Sequence, residues 1–219
     1  MAQRADKVPT LRLVRGGGAA SDPAPRFSDE ELIAAVQTGD RSSSDALYDR
    51  LIRVVDSTLF KVLGARDTDF DDLVQSTFEA IVTTLAELRY ARACSLSSWA
   101  GAIACNVALK TLRSRRTRRR YFDDRGDPAE LSSDASGGCD PERQVMARQQ
   151  LARLREHLAQ MKPERVEVLL LHDMLRHELS EIAVLKGISV AAAQSRLVRG
   201  RKELNRRLSR DSSFGSERP

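Results

Sequence analysis

The chain has 219 residues, 41% apolar, 31% charged and only 5% aromatic, with a net charge of +5. That composition excludes wholesale disorder, offers no run of the roughly 20 apolar residues that span a bilayer, and leaves Leu, Ile, Val and Ala to build the core, which suits packed helices. Three cysteines (Cys94, Cys105 and Cys139) form no CxxC pair, and the N-terminus lacks an apolar core of signal-peptide length. A disulfide framework is therefore not expected, and the chain is read as cytoplasmic. Residues 1–26 carry GGG, three prolines and no apolar periodicity, and read as a disordered tail. Order is expected from Phe27. Ser28 followed by Asp29, Glu30 and Glu31 makes an N-cap and an acidic first turn, and TGD at 38–40 ends that helix.

A second helix is predicted from about Ser43 to Leu63, with Leu47, Leu51, Val54, Val55, Leu59 and Val62 at helical spacing and Gly64 as its C-cap. A third runs from about Phe70 to Leu88, its stripe formed by Leu73, Val74, Phe78, Ile81, Val82 and Leu85. A fourth runs from about Leu96 to Arg119, lined by Trp99, Ile103, Val107 and Leu112. Residues 121–142 are rich in glycine and acids and read as a flexible linker. Beyond it, helices are expected over Pro141–Gln160, Glu164–Leu175 and Leu179–Lys186. A turn at Gly187-Ile188-Ser189 and a last helix to Leu208 follow. The fold class is all-α: two small helical domains joined by an acidic tether.

Charge alternates along the chain. Residues 27–90 sum to −7, 110–120 to +7, 121–142 to −6 and 190–210 to +6. Two separate basic blocks point to two contacts with a polyanion, and the acidic first block points to a protein partner. Leu179–Leu208 has the form helix, glycine turn, helix. Ala183 lets the two helices approach closely and Gly187 supplies the turn. Ala193, Leu197, Gly200, Leu204 and Leu208 make one stripe. Gln194, Ser195, Arg196, Arg199 and Lys202 face elsewhere, as base-edge and phosphate contacts of a helix-turn-helix do. An ordinary helical hairpin with a charged face is the competing reading.

Two groups of segments together resemble a family. FSDEELIAAVQTGD…DALYDRL (27–51), DDLVQSTFEAIVTTL (71–85) and SLSSWAGAIACNVALKTLRSRR (95–116) resemble region two of the extracytoplasmic-function sigma factors, small two-domain members of the sigma-70 family. PERVEVLLL (163–171) and SEIAVLKGISVAAAQSRLVRGRKEL (180–204) resemble region four. The resemblance implies region two over 27–120, region four over 143–209 and a disordered tail over 210–219. It implies a bacterial promoter-specificity subunit without catalytic chemistry, cofactor or metal. Region two would dock on the clamp helices of the RNA polymerase core and capture the melted strand of the −10 element. Region four would hold the double-stranded −35 element beside the polymerase flap. An anti-sigma factor is a further expected partner.

On that resemblance, Asp71, Asp72, Gln75 and Phe78 belong to the core-docking helix, Phe78 as a structural residue. The alternative for the acids is an exposed face that offsets the helix dipole. Trp99, Asn106, Lys110 and Arg113 lie toward the −10 element, with a core position as the other reading of Trp99. Asn106, Lys110 and Arg113 share a face at spacings of four and three. Gln194, Ser195, Arg196, Arg199 and Lys202 lie toward the −35 element. RRTRRR (115–120) is dense enough for phosphate contact, against a plain solvated helix end.

The chain departs from the family pattern at several places. Ala191, Ala192, Ala193 and Gln194 stand where Gly-Thr-Val-Lys is usual. Lys186 stands for leucine, Arg176 for glycine, Ala100-Gly101 for Leu-Tyr and Cys105 for arginine. A linker of 22 residues has an r.m.s. span of about 26 Å and a contour near ~75 Å, against roughly 55–60 Å between the family's two promoter elements. It reaches only when stretched. Cys94 and Cys105 read as small buried hydrophobes rather than redox sensors, and the histidines show no zinc spacing. Two rival functions stay open: a polymerase-binding adaptor or decoy that does not initiate, and a free-standing helix-turn-helix regulator.

Overall fold

The computed structural model describes residues 27–39, 44–92, 94–122 and 141–214. The tail expected over 1–26, the helix-ending Asp40, the second-helix start at Ser43, most of the linker with Cys139, and residues 215–219 lie outside the described residues. Every regular element among the described residues is helical. The elements are α1 (Asp29–Thr38), α2 (Ser44–Leu63), α3 (Phe70–Ala86), α4 (Leu96–Phe122), α5 (Pro141–Gln160), α6 (Pro163–Leu169), α7 (Leu179–Lys186) and α8 (Val190–Leu208). They form two helical domains, α1–α4 and α5–α8.

The first domain is built around α2 and α4. Leu51, Val55 and Leu59 of α2 are wholly buried, and α4 supplies Ala100, Ala104, Cys105 and Ala108. Small residues on α4 let it lie close to α2. Each buried Leu or Val of this set contributes about 1.5–3 kcal/mol relative to exposure. At the entry to α1, the Ser28 backbone N–H donates to Glu31 at 2.7 Å and the Glu31 N–H donates back to Ser28 Oγ at 3.2 Å. These bonds hold the Glu31 carboxyl below its ordinary value. α3 holds its whole apolar stripe but stops at Ala86, short of the predicted end at Leu88, because Leu88 turns left-handed at φ 57°.

In the second domain, α5 ends at Gln160 as expected, and α6 starts at Pro163, one residue before the expected Glu164. The helix predicted to reach Leu175 widens instead into a π-helical turn at Leu170–Met174, closed by Leu175 N–H donating to Leu170 O at 3.0 Å. Gly187 takes φ 61°, and Ile188 N–H reaches back to Ala183 O at 2.9 Å, so α7 ends in a tight left-handed turn. Ser189 then caps α8 through Ala192 N–H at 3.1 Å. α8 crosses α6 at Gly200, where an added Cβ would lie 3.1 Å from Arg165 O. The expected tail from 210 departs from expectation at its start. A 3-10 turn at Ser212–Phe214 docks on α5 through His157 to Asp211 at 2.8 Å and Gln150 Nε2 donating to Ser213 O at 3.1 Å.

Arg176 occupies the left-handed region at φ 63°. A side chain there costs about 1 kcal/mol that glycine avoids, partly offset by glycine's greater chain entropy. Arg176→Gly should raise unfolding stability by about 0.5 kcal/mol in a urea titration; a variant less stable than the parent would mean the arginine makes a compensating contact.

Candidate nucleic-acid and polymerase interfaces

The acidic set on α3 lies where its spacing predicted. Asp71, Asp72 and Glu79 are exposed and Gln75 half-buried, with Gln75 Nε2 donating to Glu79 Oε1 at 3.1 Å. Phe78 faces the other way. It is buried, with its ring centroid 4.8 Å from that of Tyr48. The N-terminal end of α3 is braced by Arg66, which holds both oxygens of Asp56 (2.6 and 2.5 Å) and stacks over Phe60 and Phe70. This presents carboxylates at the positive end of a helix on a firm base.

α4 divides its candidates. Lys110 is exposed. Asn106 and Arg113 are half-buried, and among the described residues Asn106 Oδ1 and Arg113 Nη2 are cut off from water without a hydrogen-bond partner. Buried polar atoms are rarely left so, and each is an incomplete hydrogen bond. Trp99 is in the core, its ring 4.9 Å from that of Tyr90, whose hydroxyl donates to Cys94 O at 2.6 Å. Of its two readings the core one is what the fold contains. The basic end is less uniform than its sequence. Arg115 is engaged with Asp67 at 2.6 Å, whereas Arg118, Arg119 and Arg120 are exposed.

α8 is pinned on one side and open on the other. Glu203, 8% exposed, accepts from Arg165 of α6 at 2.7 Å and from Arg207 at 3.1 Å. Arg201 grips Asp173, Nε to Oδ2 at 3.0 Å, and this contact holds the Asp173 carboxyl below its ordinary value. Arg201 and Arg207 are therefore structural. Gln194, Arg199 and Lys202 are exposed, while Ser195 and Arg196 are half-buried. Sequence reasoning missed Val198, 56% exposed, which stands one turn from both Gln194 and Lys202 on the open face. Its spacing of four from each was the available signal.

Both described cysteines are poor nucleophiles. Burial pushes the Cys94 thiol up to about 11 and the Cys105 thiol up to about 12. The described residues hold no group of three or more His, Cys, Asp or Glu suited to a metal ion, and no helix long and apolar enough to cross a membrane.

Comparison with known proteins accounts for this arrangement. The sigma-70 region 2 family model matches residues 47–118, and the sigma-70 region 4 model matches residues 151–204. The RNA polymerase sigma factor CnrH of Cupriavidus metallidurans is 30% identical over 190 residues, spanning 86% of this chain and 98% of the relative. The sigma factor NccH of Alcaligenes xylosoxydans xylosoxydans is 29% identical over 177 residues, 80% and 92% of the two chains. Among solved structures, CnrH in complex with the cytosolic domain of CnrY matches with a TM-score of 0.50 at 23% identity, covering 84% of this chain and 98% of that one. It shares the two-domain helical fold. The chain belongs to the sigma-70 family of RNA polymerase sigma factors, in its extracytoplasmic-function group. It is an alternative sigma factor, which joins the polymerase core and directs it to promoters.

Glu203 ties this chemistry to pH. Burial raises its carboxyl pKa, but the bonds from Arg165 and Arg207 outweigh that and leave it below 4.5. A depressed folded value gives stability that is fully present above the unfolded value and lost as pH falls through the folded one. The urea midpoint should therefore drop as pH falls below about 4.5, and Glu203→Gln should flatten that acid limb; equal slopes in the two proteins would show that Glu203 does not carry it.

Proposed function

We propose that the two exposed faces divide the work of initiation. The acidic face of α3 (Asp71, Asp72 and Gln75) docks on the clamp helices of the polymerase core, with Phe78 holding the helix from beneath. Asn106, Lys110 and Arg113 of α4 meet the −10 element. There the exposed Lys110 and the exposed arginines beyond it hold phosphates. Trp99 takes no part in base contact. Gln194, Ser195, Arg196, Arg199 and Lys202 meet the −35 element, with Val198 among them as an apolar contact for a thymine methyl.

The observation that carries this reading is the sorting of charge. Arginines of region four that could reach DNA are partly spent on Asp173 and Glu203. The exposed remainder of α8 is a compact polar and cationic face, on a different domain from the acidic face of α3. The chain supplies no catalytic group, because the polymerase makes the RNA, and it works in the cytoplasm with that enzyme. The flap of the polymerase holds region four, and an anti-sigma factor is a further partner; the similar CnrH is seen in complex with the cytosolic domain of CnrY.

The test is reconstituted transcription on genomic fragments of the host with core polymerase, reading RNA 5′ ends. Starts that depend on the protein and share two upstream elements are expected. Arg199→Ala should lower initiation about tenfold at promoters with a strong −35 element and leave core binding intact. Asp72→Arg should weaken co-elution with core by about tenfold. Unchanged start-site preference in the Arg199 variant would sink the α8 assignment. Co-elution without any starts would make the chain an adaptor.

A further inference from the structure

The open face of α8 is sorted along its axis. Ala193, Leu197 and Gly200 are buried, so the helix turns its opposite side outward. At about 100° per residue, Ala191, Ser195, Val198 and Lys202 fall on one stripe about 60° wide, with Gln194 and Arg199 flanking it on either side. As far as Val198 that face holds no charge. Ala191, Gln194 and Val198 are exposed on it, with Val190 exposed at its entry. Arg196 is half-buried and lies on the side of Glu203, seven residues on, away from the stripe. The exposed cations Arg199, Lys202 and Arg206 come only in the later turns, and Arg201 is held by Asp173.

The uncharged groups agree on one kind of base pair. An exposed valine is apolar surface in water, and contact with another methyl group removes that cost. In the major groove the only methyl is that of thymine. Gln194 donates and accepts through a single amide, which fits the N6 donor and N7 acceptor of adenine. Lysine, usual in the family where Gln194 stands, only donates and fits the two acceptors of guanine. The glutamine and the exposed valine therefore point the same way, from G·C toward A·T. Ala191 and Val198 are about 10 Å apart along the helix axis, so the group covers about three base-pair steps of ~3.4 Å. Ser189 caps the start of α8, its Oγ accepting from Ala192 N–H at 3.1 Å, which fixes this first turn on the domain.

We infer that α8 reads an element centred on A·T pairs: Gln194 holds an adenine by its N6 and N7 edge, and Ala191 and Val198 meet thymine methyls on either side. The inference rests on the sigma-factor reading above and deepens it to a class of DNA sequence. The cations beyond Val198 supply the attraction to phosphate that uncharged readers lack. A G·C pair at these positions is rejected twice. It offers no methyl, and guanine sets the Gln194 carbonyl oxygen against a second acceptor.

The test uses the protein on core polymerase. Promoter fragments keep the −10 element of a start found in the transcription assay and randomise the upstream element, and the bound fragments are sequenced. A run of about three A·T pairs is expected, with G·C excluded about tenfold at the adenine. Gln194→Lys should move that position from adenine to guanine. Replacing thymine by uracil, which lacks the methyl, should weaken binding by the parent about fourfold at the Val198 thymine and leave Val198→Ala unaffected there. The parent arm changes only the DNA and does not depend on a variant folding. A G·C-centred element, or uracil accepted by the parent without loss, would overturn the inference. Equal loss in parent and Val198→Ala would assign the effect of the methyl to DNA shape and overturn it as well. Protein-dependent starts with a G·C-centred element remove this inference alone, whereas no starts at all remove the sigma-factor reading and the inference with it.

Discussion

The fold depends on the packing of α4. It is 27 residues long, about 40 Å at 1.5 Å per residue, and its first half is sheathed by neighbours over most of its circumference. That is possible only because Ala100, Gly101, Ala102, Ala104, Cys105 and Ala108 keep the helix thin. Large side chains would fill the core equally well but would hold α2 and region four away. The thin half gives way abruptly to Lys110 and the arginine-rich turns, which carry little that can be buried and extend past the bundle. One helix therefore serves as core, as seat for the second domain and as an exposed basic end, in that order along its length.

Electrostatic sorting then decides which charges remain for partners. A net excess of cations says little by itself, because many arginines here are used inside the protein. Arg115 holds Asp67, Arg165 and Arg207 hold Glu203, Arg201 holds Asp173, and Arg155 closes the end of α2. The buried Glu203 between two arginines sets the position of α8 on α6, and the close crossing at Gly200 fixes their separation. With one side committed in this way, the other side of α8 can carry Gln194, Val198, Arg199 and Lys202 outward without competing contacts on the same face.

The helices were legible because apolar spacing in this chain is clean. Leu51, Val55 and Leu59 repeat at four, and Ser28 with Glu31 signals a helix start through local chemistry alone. The acidic face of α3 and the turn at Gly187 were legible for the same reason. The π turn was not. Val168, Leu169, Leu170 and Leu171 form an unbroken apolar run, all four are buried, and such a run reads the same for either winding. The role of Arg155 was invisible, because its partner is 93 residues away and nothing local marks it. Trp99 was already on the buried stripe of α4 by spacing, and its burial beside Tyr90 decides for the core reading over base contact. Val198 was overlooked because attention to charge ranked Arg196 ahead of it, although helical spacing favours the valine.

The most direct test of this account is the separation of the two domains. Labels on the exposed positions Ser76 of α3 and Asn205 of α8 would give the distance between them by pulsed electron paramagnetic resonance, in the free chain and on core polymerase. The packing of α4 predicts one short, narrow distance in the free chain and a lengthening of more than about 20 Å on core, as two elements roughly 55–60 Å apart require. A broad distribution in the free chain, or the same short distance on core, would contradict it.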